Sequence, residues 1–364
     1  MSAPLEETDR PLRKGWTTGA CATAAVKAAF TALATGTFPD PVRISLPRGG
    51  TADFVLAEES LGEDCASAAV VKDAGDDPDV THGALVRATV RAADTIRFVA
   101  GEGVGTVTRA GLPLGVGEPA INPVPRAMME TAVREVALET GCPAGAEITV
   151  SIPGGAALAA KTWNPRLGIK GGLSVLGTSG IVTPYSCAAW IHSIHRGVDV
   201  ARAAGLPHIA AATGSTSERA AAAATGLAEH AMIDMGDFAG GLLKYLRKHP
   251  VARLTLVGGF AKLAKLGAGS LDLHSARSTL DPGALASWAD ARDASPALVA
   301  AIGAAPTGMA ALEAARAESF DLAAIVAERA AATAQSVLGS APVGVDVMVV
   351  DRAGAVAAWH GKPA

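Results

Sequence analysis

Aromatic residues are scarce: Phe, Trp and Tyr make up only 4% of the 364 residues. A chain this poor in rings lacks the stacking platforms on which single-stranded nucleic acid binds. Basic excess is missing too, with 31 Lys and Arg against 35 Asp and Glu and a net charge of -4, so no cationic face for a phosphate backbone is expected. The four cysteines, Cys21, Cys65, Cys142 and Cys187, lie far apart without a Cys-x-x-Cys pair, which fits neither a zinc ribbon nor a disulfide framework. No apolar run is long enough to cross a membrane, because the uncharged stretch from Gly171 to Ile191 is broken by Gly177, Gly180 and Pro184. The first ten residues are polar and acidic, with no apolar core of a secretion signal. These absences point to a cytoplasmic protein with reduced thiols and a small-molecule partner, with no nucleic acid and no membrane.

What is present is a mixture of 49% apolar and only 18% charged residues, globular in composition and long enough for two domains. Thr18 to Thr35 reads as a helix opened by a Thr cap and stopped by Gly36. Short β-prone runs follow at 42–46, 52–56, 68–71, 85–91 and 96–99, then a helix from about 125 to 140 and a strand at 147–152. A helix at 185–196 closes this part. Beyond residue 200 the rhythm becomes strand, helix, strand, helix, strand, the pattern of a doubly wound parallel sheet. Four Ala-rich helical segments fill 282–338, and a hairpin-like pair of strands ends the chain. The expected fold is α/β: a two-layer α/β domain over residues 1–195 and a Rossmann-like domain over 196–364.

The unusual chemistry sits in turns. KDAGDDPDVTHG, from Lys72 to Gly83, packs Asp73, Asp76, Asp77 and Asp79 around Gly75 and Pro78. Mutual repulsion makes such a loop costly unless it has a task, although an exposed acidic turn is the plainer reading. Arg13, Lys14, Thr17 and Thr18 at the start of the first helix could seat a carboxylate or phosphate, or simply cap the helix. Gly101, Gly103 and Gly105 imitate a nucleotide loop, but the match to G-x-G-x-x-G fails at Thr106, so a bulge or turn is the preferred reading. Asn122 could cap the next helix or meet ligand. The stretch from Thr162 to Pro184 sets Arg166 and Lys170 among glycines, where a ligand can approach the backbone. In the second half, Ser215 and Glu218 form a capping box after Gly214, and Asp234, twenty residues beyond Gly214, stands where an acid binds ribose in mononucleotide-binding sheets. Gly258 and Gly259 open the last such turn, which carries Lys262, Lys265, Asp272 and His274. His192 and His195 are read as a solvated face.

Five long segments, LRKGWTTGACATAAVKAA, VVKDAGDDPDVTHG, GEGVGTVTRAGLPLGVGEPAINPVPR, KTWNPRLGIKGGLSVLGTSGIVTPYS and GGFAKLAKLGAGSLDLHS, taken in this order resemble the CbiD family, cobalt-precorrin-5B (C1)-methyltransferases of cobalamin biosynthesis. Leu273-His274-Ser275 stands where that family commonly reads Thr-His-Ser. The resemblance implies S-adenosylmethionine as methyl donor, a cobalt-containing tetrapyrrole as acceptor, cobalt-precorrin-6A as product, and a two-layer domain followed by a Rossmann-like one. Cobalt then arrives inside the substrate, and no protein-held metal is expected.

On that footing the carboxylate arms of the acceptor call for cations. Arg13, Lys72, Arg109, Arg126, Arg166, Lys170 and Lys262 are the candidates, with Thr17, Thr18, Asn122 and Asn164 as polar contacts. Gly214, Ser215, Thr216, Asp234, Gly258 and Gly259 are the donor-binding candidates. Asp76, Asp77, Asp79 and His274 are the candidate acid–base groups. A kinase using the Gly101–Gly105 loop and a non-catalytic tetrapyrrole carrier are the competing readings, and a homo-oligomer is left open.

Overall fold

The computed structural model describes residues 11–361; the ten residues on which the secretion-signal argument rests lie outside the described residues. The chain divides into two compact units, residues 1–187 and 188–364.

The first unit opens with β1 (Gly15–Trp16) and α1 (Thr18–Thr35). Thr17 starts the helix as its sequence promised, its Oγ1 accepting from Ala20 N at 3.2 Å, and Gly36 closes it at φ 81°. A hairpin of β2 (Val42–Ser45) and β3 (Thr51–Phe54) follows. Then come β4 (Glu58–Leu61), β5 (Cys65–Val71), β6 (Leu85–Ala92), β7 (Arg97–Ala100), β8 (Thr106–Val107), α2 (Pro123–Thr140) and β9 (Ala146–Ser151). The main sheet runs β4-β5-β6-β9-β7, antiparallel except for the β7–β9 pair.

Alternation in these strands puts Ala66, Ala68 and Val70, then Val86, Ala88 and Val90, then Ala146, Ile148 and Val150 into one core with α1 and α2. Each valine or isoleucine so buried contributes about 1.5–3 kcal/mol. Alanines on α1 let the helix axis approach the sheet closely. The unit ends with α3 (Gly155–Ala159) and two short strands, β10 (Ile169–Lys170), paired with β8, and β11 (Ile181–Val182), paired with β1. The sequence offered no sign of β4, because all four of its residues are exposed and alternation is absent; Glu58 and Glu59 there blunt the sheet edge.

The second unit contains α4 (Cys187–Ala203), β12 (His208–Ala212), α5 (Ser215–Thr225), β13 (Met232–Asp234), α6 (Ala239–Leu246), β14 (Arg253–Gly259) and α7 (Phe260–Gly267). After these come α8 (Pro282–Asp290), α9 (Pro296–Gly303), α10 (Gly308–Ala317), α11 (Leu322–Leu338), β15 (Gly344–Val350) and β16 (Val356–His360). The sheet order is β13-β12-β14-β15-β16, with only β16 antiparallel. Both faces are covered. Ile209, Ala211, Leu254, Leu256, Val347 and Val349 join the core formed with α6, α7 and α11. Ala210, Val257, Met348 and Val350 instead pack on Ala220 and Ala221 of α5.

The expected α/β class, two-layer then doubly wound, is thus the observed one. Helix α4 buries Ile194, Val198 and Ala201 in the second unit's core, which is why the units part at 187/188, ahead of the 195/196 boundary read from the sequence. Among the described residues no helix is long and apolar enough to cross a membrane.

Candidate functional site

In the first unit the acidic loop is welded to the strand before α1. Trp16 N–H donates to Asp73 O (2.7 Å) and Asp76 N–H to Arg13 O (3.0 Å). A Cβ on Gly15 would lie 2.0 Å from the Ala74 carbonyl carbon, and one on Gly75, at φ +69°, 2.2 Å from Arg13 O. Only glycine permits this backbone-on-backbone approach.

Each aspartate has its own donor. Asp73 takes the Arg13 guanidinium through both oxygens; that hydrogen bond, seconded by Gly75 N–H, holds its carboxyl down to about 2. Asp76 Oδ2 accepts from Arg13 N at 2.6 Å, and Asp77 Oδ1 from Tyr185 N at 2.8 Å. Asp79 Oδ2 accepts from Lys72 Nζ at 2.5 Å, while its Oδ1 takes both the N–H and the hydroxyl of Thr81. Burial works to raise the Asp79 carboxyl, but the Lys72 charge and the Thr81 donors outweigh it and hold it below the ordinary range.

Lys72 is only 1% exposed. It therefore does not meet substrate, and its place among the acceptor-binding cations is withdrawn: its stem fills the core and its ammonium is the internal counter-ion of Asp79. Sequence reasoning also missed Tyr185, which stands at φ 55° and is 68% exposed.

The start of α1 is occupied by the chain itself. Thr17 N–H donates to Gly180 O and Gly19 N–H to Leu176 O, both at 3.0 Å, and Thr17 and Thr18 are buried. Of the anion seat expected there, Arg13 is ion-paired and Thr17 is the helix cap.

The loop after β7 is packed shut in the same manner. A Cβ on Gly103 would meet Ile152 O at 1.9 Å, and Gly105 N–H and Leu173 N–H complete a ladder between the two Gly-rich loops. These glycines serve close packing, as the broken G-x-G-x-x-G suggested, and the kinase reading loses its phosphate loop. Arg126 clamps the loop from within, reaching Ile121 O (2.8 Å), Pro119 O (3.1 Å) and Glu118 Oε2 (2.7 Å). Asn164, buried, braces Gly172 O and Ser174. Asn122 occupies the N-cap of α2 without a side-chain cap bond.

Arg109 and Arg166 come together just beyond the β8–β10 pair, and Lys170 lies within that pair, opposite Thr106. Arg109 Nη1 donates to Arg166 O at 3.2 Å, Arg166 lies 5.4 Å over the Trp163 ring, and Lys170 is exposed.

In the second unit the donor-binding candidates gather at the carboxyl ends of β12, β13 and β14. In the sheet β12 lies between β13 and β14, although β13 comes between β12 and β14 in sequence, so the strand order reverses at the β12–β14 junction; in doubly wound sheets ligands bind at such a point. The capping box is not formed: Gly214, in extended backbone, is the N-cap, Ser215 is already helical, and no side chain caps α5. Asp234 ends β13, its Oδ1 accepting from Gly236 N at 3.2 Å and its carbonyl from Trp190 Nε1. A Cβ on Gly258 would touch Thr213 Cγ2 at 2.9 Å, so the two central strand ends are in contact. Lys262 Nζ donates to Thr213 O at 3.1 Å and pairs with Asp237 Oδ1 at 2.9 Å. Lys265 is buried and braces Leu273 O.

His274 lies on an exposed turn, where its Nδ1 accepts from Ala276 N and its own N–H donates to Asp272; the preceding Leu273 N–H donates to Asp237 O (2.8 Å) in the turn after β13. His195 is not on a solvated face: its ring stacks on Tyr245 at 3.9 Å, and burial lowers its pKa. Among the described residues no group of three or more His, Cys, Asp or Glu is placed to hold a metal ion.

The family model described as CbiD matches residues 5–184, and that described as CbiD, C-terminal domain, matches residues 272–361. A curated protein of Paramagnetospirillum magneticum, named cobalt-precorrin-5B C(1)-methyltransferase, is 57% identical over 96% of this chain and 98% of its own length. The chain belongs to the CbiD family. A Rhodospirillum rubrum protein of the same name is 57% identical over 97% of this chain and 99% of its own. The crystal structure of the cobalamin biosynthesis protein cbiD from Archaeoglobus fulgidus is 28% identical, covers 73% of this chain and 83% of its own, and has a TM-score of 0.39. The membership read from five sequence segments is therefore shown. In this CbiD chain the first family segment carries the acidic and Gly-rich loops, the second carries His274, and the turns of the strand-order reversal lie mostly between them.

Proposed function

We propose that this CbiD chain transfers a methyl group from S-adenosylmethionine to C-1 of cobalt-precorrin-5B, giving cobalt-precorrin-6A in cytoplasmic cobalamin biosynthesis. The observation that carries this reading is identity of 57% along nearly the whole length of curated proteins bearing that enzyme name. The carboxyl edge of the second unit's sheet suits the methyl donor: Gly214 and Gly259, beside which a Cβ would meet nothing within 4 Å, let a ligand approach the backbone, Gly258 packs on Thr213 between them, Ser215 and Thr216 present the first N–H groups of α5, and Asp234 offers a carboxylate.

The donor supplies an electrophilic methyl on a sulfonium, displaced in line by a ring carbon. No covalent protein nucleophile is needed, and placement alone can lower such a barrier by roughly 7–11 kcal/mol. The cations proposed for the acceptor's carboxylate arms are Arg109, Arg166 and Lys170, gathered on one pair of loops. Arg13 and Arg126 act behind them by fixing the loops. For a proton leaving the acceptor we propose Asp76 or Asp77. Each has one oxygen held by a backbone donor, while the other has no hydrogen bond among the described residues. Asp79 and Lys72 hold that loop in place.

Anaerobic incubation with methyl-labelled S-adenosylmethionine and cobalt-precorrin-5B tests the reading. A labelled tetrapyrrole one methyl group heavier is expected, and an unlabelled one overturns it. Binding of tetrapyrrole without any binding of S-adenosylhomocysteine would favour the carrier instead.

A further inference from the structure

Four half-buried arginines of this chain each have an acid beside them: Arg87 pairs with Glu58 at 2.6 Å, Arg126 with Glu118 at 2.7 Å, Arg196 with Asp199 at 3.0 Å and Arg253 with Asp346 at 2.8 Å. Arg109 is half-buried too, yet among the described residues no carboxylate lies within ion-pair distance of it. The hydrogen bond from Nη1 to Arg166 O is all that its guanidinium makes there. A cation held partly out of water without a counter-ion is unfavourable unless something else brings the negative charge.

The stem of Arg109 rests on Gly168. A Cβ there, at φ +75°, would lie 2.5 Å from Arg109 Cγ, 2.7 Å from its Cβ and 2.8 Å from its Cδ, so only glycine lets the side chain lie along this turn. The glycine is itself bolted down. Its carbonyl accepts from both the N–H and the hydroxyl of Thr108 at 2.7 Å, its N–H donates to Pro165 O at 3.1 Å, and the next residue, Ile169, donates to Asn164 O at 2.9 Å. Arg109 is therefore held by its stem and by Nη1, and the edge formed by Nε and Nη2 remains open. Arg43 shows what such an edge holds: its Nε and Nη2 donate to the two oxygens of Asp53 at 2.7 and 2.8 Å.

We infer that the Nε–Nη2 edge of Arg109 grips one carboxylate arm of the tetrapyrrole acceptor through two parallel hydrogen bonds, and that Gly168 is a positioning residue that acts by giving the Arg109 stem its place. This rests on the methyltransferase reading and deepens it, assigning to one cation a defined carboxylate geometry and adding an uncharged residue to the acceptor site. The methyl donor carries a carboxylate as well, so the experiment has to tell the two sources apart.

The test is anaerobic titration of the full-length protein with cobalt-precorrin-5B, followed by its visible absorbance, and with S-adenosylhomocysteine by calorimetry. Arg109→Ala should weaken tetrapyrrole binding about 10- to 100-fold, as expected for hydrogen bonds to a charged group. Arg109→Lys should fall nearly as far, because a point charge cannot form the two parallel bonds. Gly168→Ala should weaken binding about 10-fold in the parent and add little in the Arg109→Ala background, where no stem is left to displace. Backbone strain at this left-handed position is common to both backgrounds, so a merely structural loss would be the same in each. S-adenosylhomocysteine affinity should hold in every variant. Thermal melts identify loss of fold, and Arg109→Lys, which keeps stem and charge, carries the test if the alanine variants melt early. Parent-like tetrapyrrole affinity in Arg109→Ala or Arg109→Lys overturns the fork, and an equal loss from Gly168→Ala in both backgrounds overturns the positioning role. A parallel fall in S-adenosylhomocysteine affinity overturns the assignment to the acceptor. A parent protein that binds no cobalt-precorrin-5B overturns the substrate reading together with the inference.

Discussion

Replacing Lys72 by Met should cost the protein about 3 kcal/mol, the low end of the range for breaking a buried ion pair from one side. The low end applies because Asp79 keeps a quarter of its side-chain surface and retains the two Thr81 donors. Asp79→Ala should cost more, about 5 kcal/mol, since it strands an ammonium that is 1% exposed. The double variant should fall well short of the sum, because no uncompensated charge remains in it. Urea unfolding at neutral pH measures this; with a slope of about 3 kcal/mol/M, Lys72→Met shifts the midpoint by about 1 M.

The pH dependence of that loss follows from the Asp79 carboxyl, which is held below its ordinary value in the folded protein. A depressed carboxyl contributes stability that is full above its ordinary value near 4 and disappears as the pH falls through the lowered folded value. The gap between parent and Lys72→Met should therefore be constant at neutral pH and shrink below pH 4. A Lys72→Met protein within about 0.5 kcal/mol of the parent, or a gap that widens in acid, would refute the assignment of Lys72 as internal counter-ion.

Arg13→Gln should release Asp73, whose carboxyl the guanidinium holds down to about 2; carboxylate carbon NMR would follow its titration upward toward 4, and an unmoved titration would count against the pairing. Cys21 is buried and its thiol is pushed up to about 12 by that burial, with Lys72 pulling weakly the other way. Iodoacetamide at pH 8 should accordingly label Cys187 and spare Cys21 until denaturant is added, as peptide mass spectrometry would reveal. Lys170→Ala, at an exposed position on the strand pair that also leads to Arg109, should raise KM for the tetrapyrrole several-fold with kcat and S-adenosylhomocysteine affinity kept. A fall in donor affinity would move Lys170 out of the acceptor site.

How much of this was legible beforehand depended on whether the information was local. The ends of α1 are local, a Thr hydroxyl and a left-handed glycine, and both were read correctly. The strand–helix rhythm of the second unit foretold a parallel sheet but not its order, since only long-range pairing puts β12 between β13 and β14. The capping box at Ser215 failed because the same four residues also allow Gly214 to cap and Ser215 to enter the helix. Helix α7 passed unseen behind its leading glycines, although Phe260, Leu263, Ala264 and Leu266 are all buried at helical spacing.

Lys72 is the more instructive error, because its signal was present and was overridden by its charge. Ala66, Ala68 and Val70 mark the inward phase of β5, and Lys72 is the next residue in that phase. Period-2 geometry therefore placed its side chain in the core before any partner was known, and a buried lysine requires an acid. The nearest acids in sequence are in the loop it precedes, and of these Asp79 returns to it through a turn that Thr81 closes. The acidic loop is thus anchored from inside the sheet. That is how four aspartates can share seven positions: Lys72 and Arg13 neutralise the charge of Asp79 and Asp73, and the middle pair, Asp76 and Asp77, is held by the backbone donors Arg13 N and Tyr185 N.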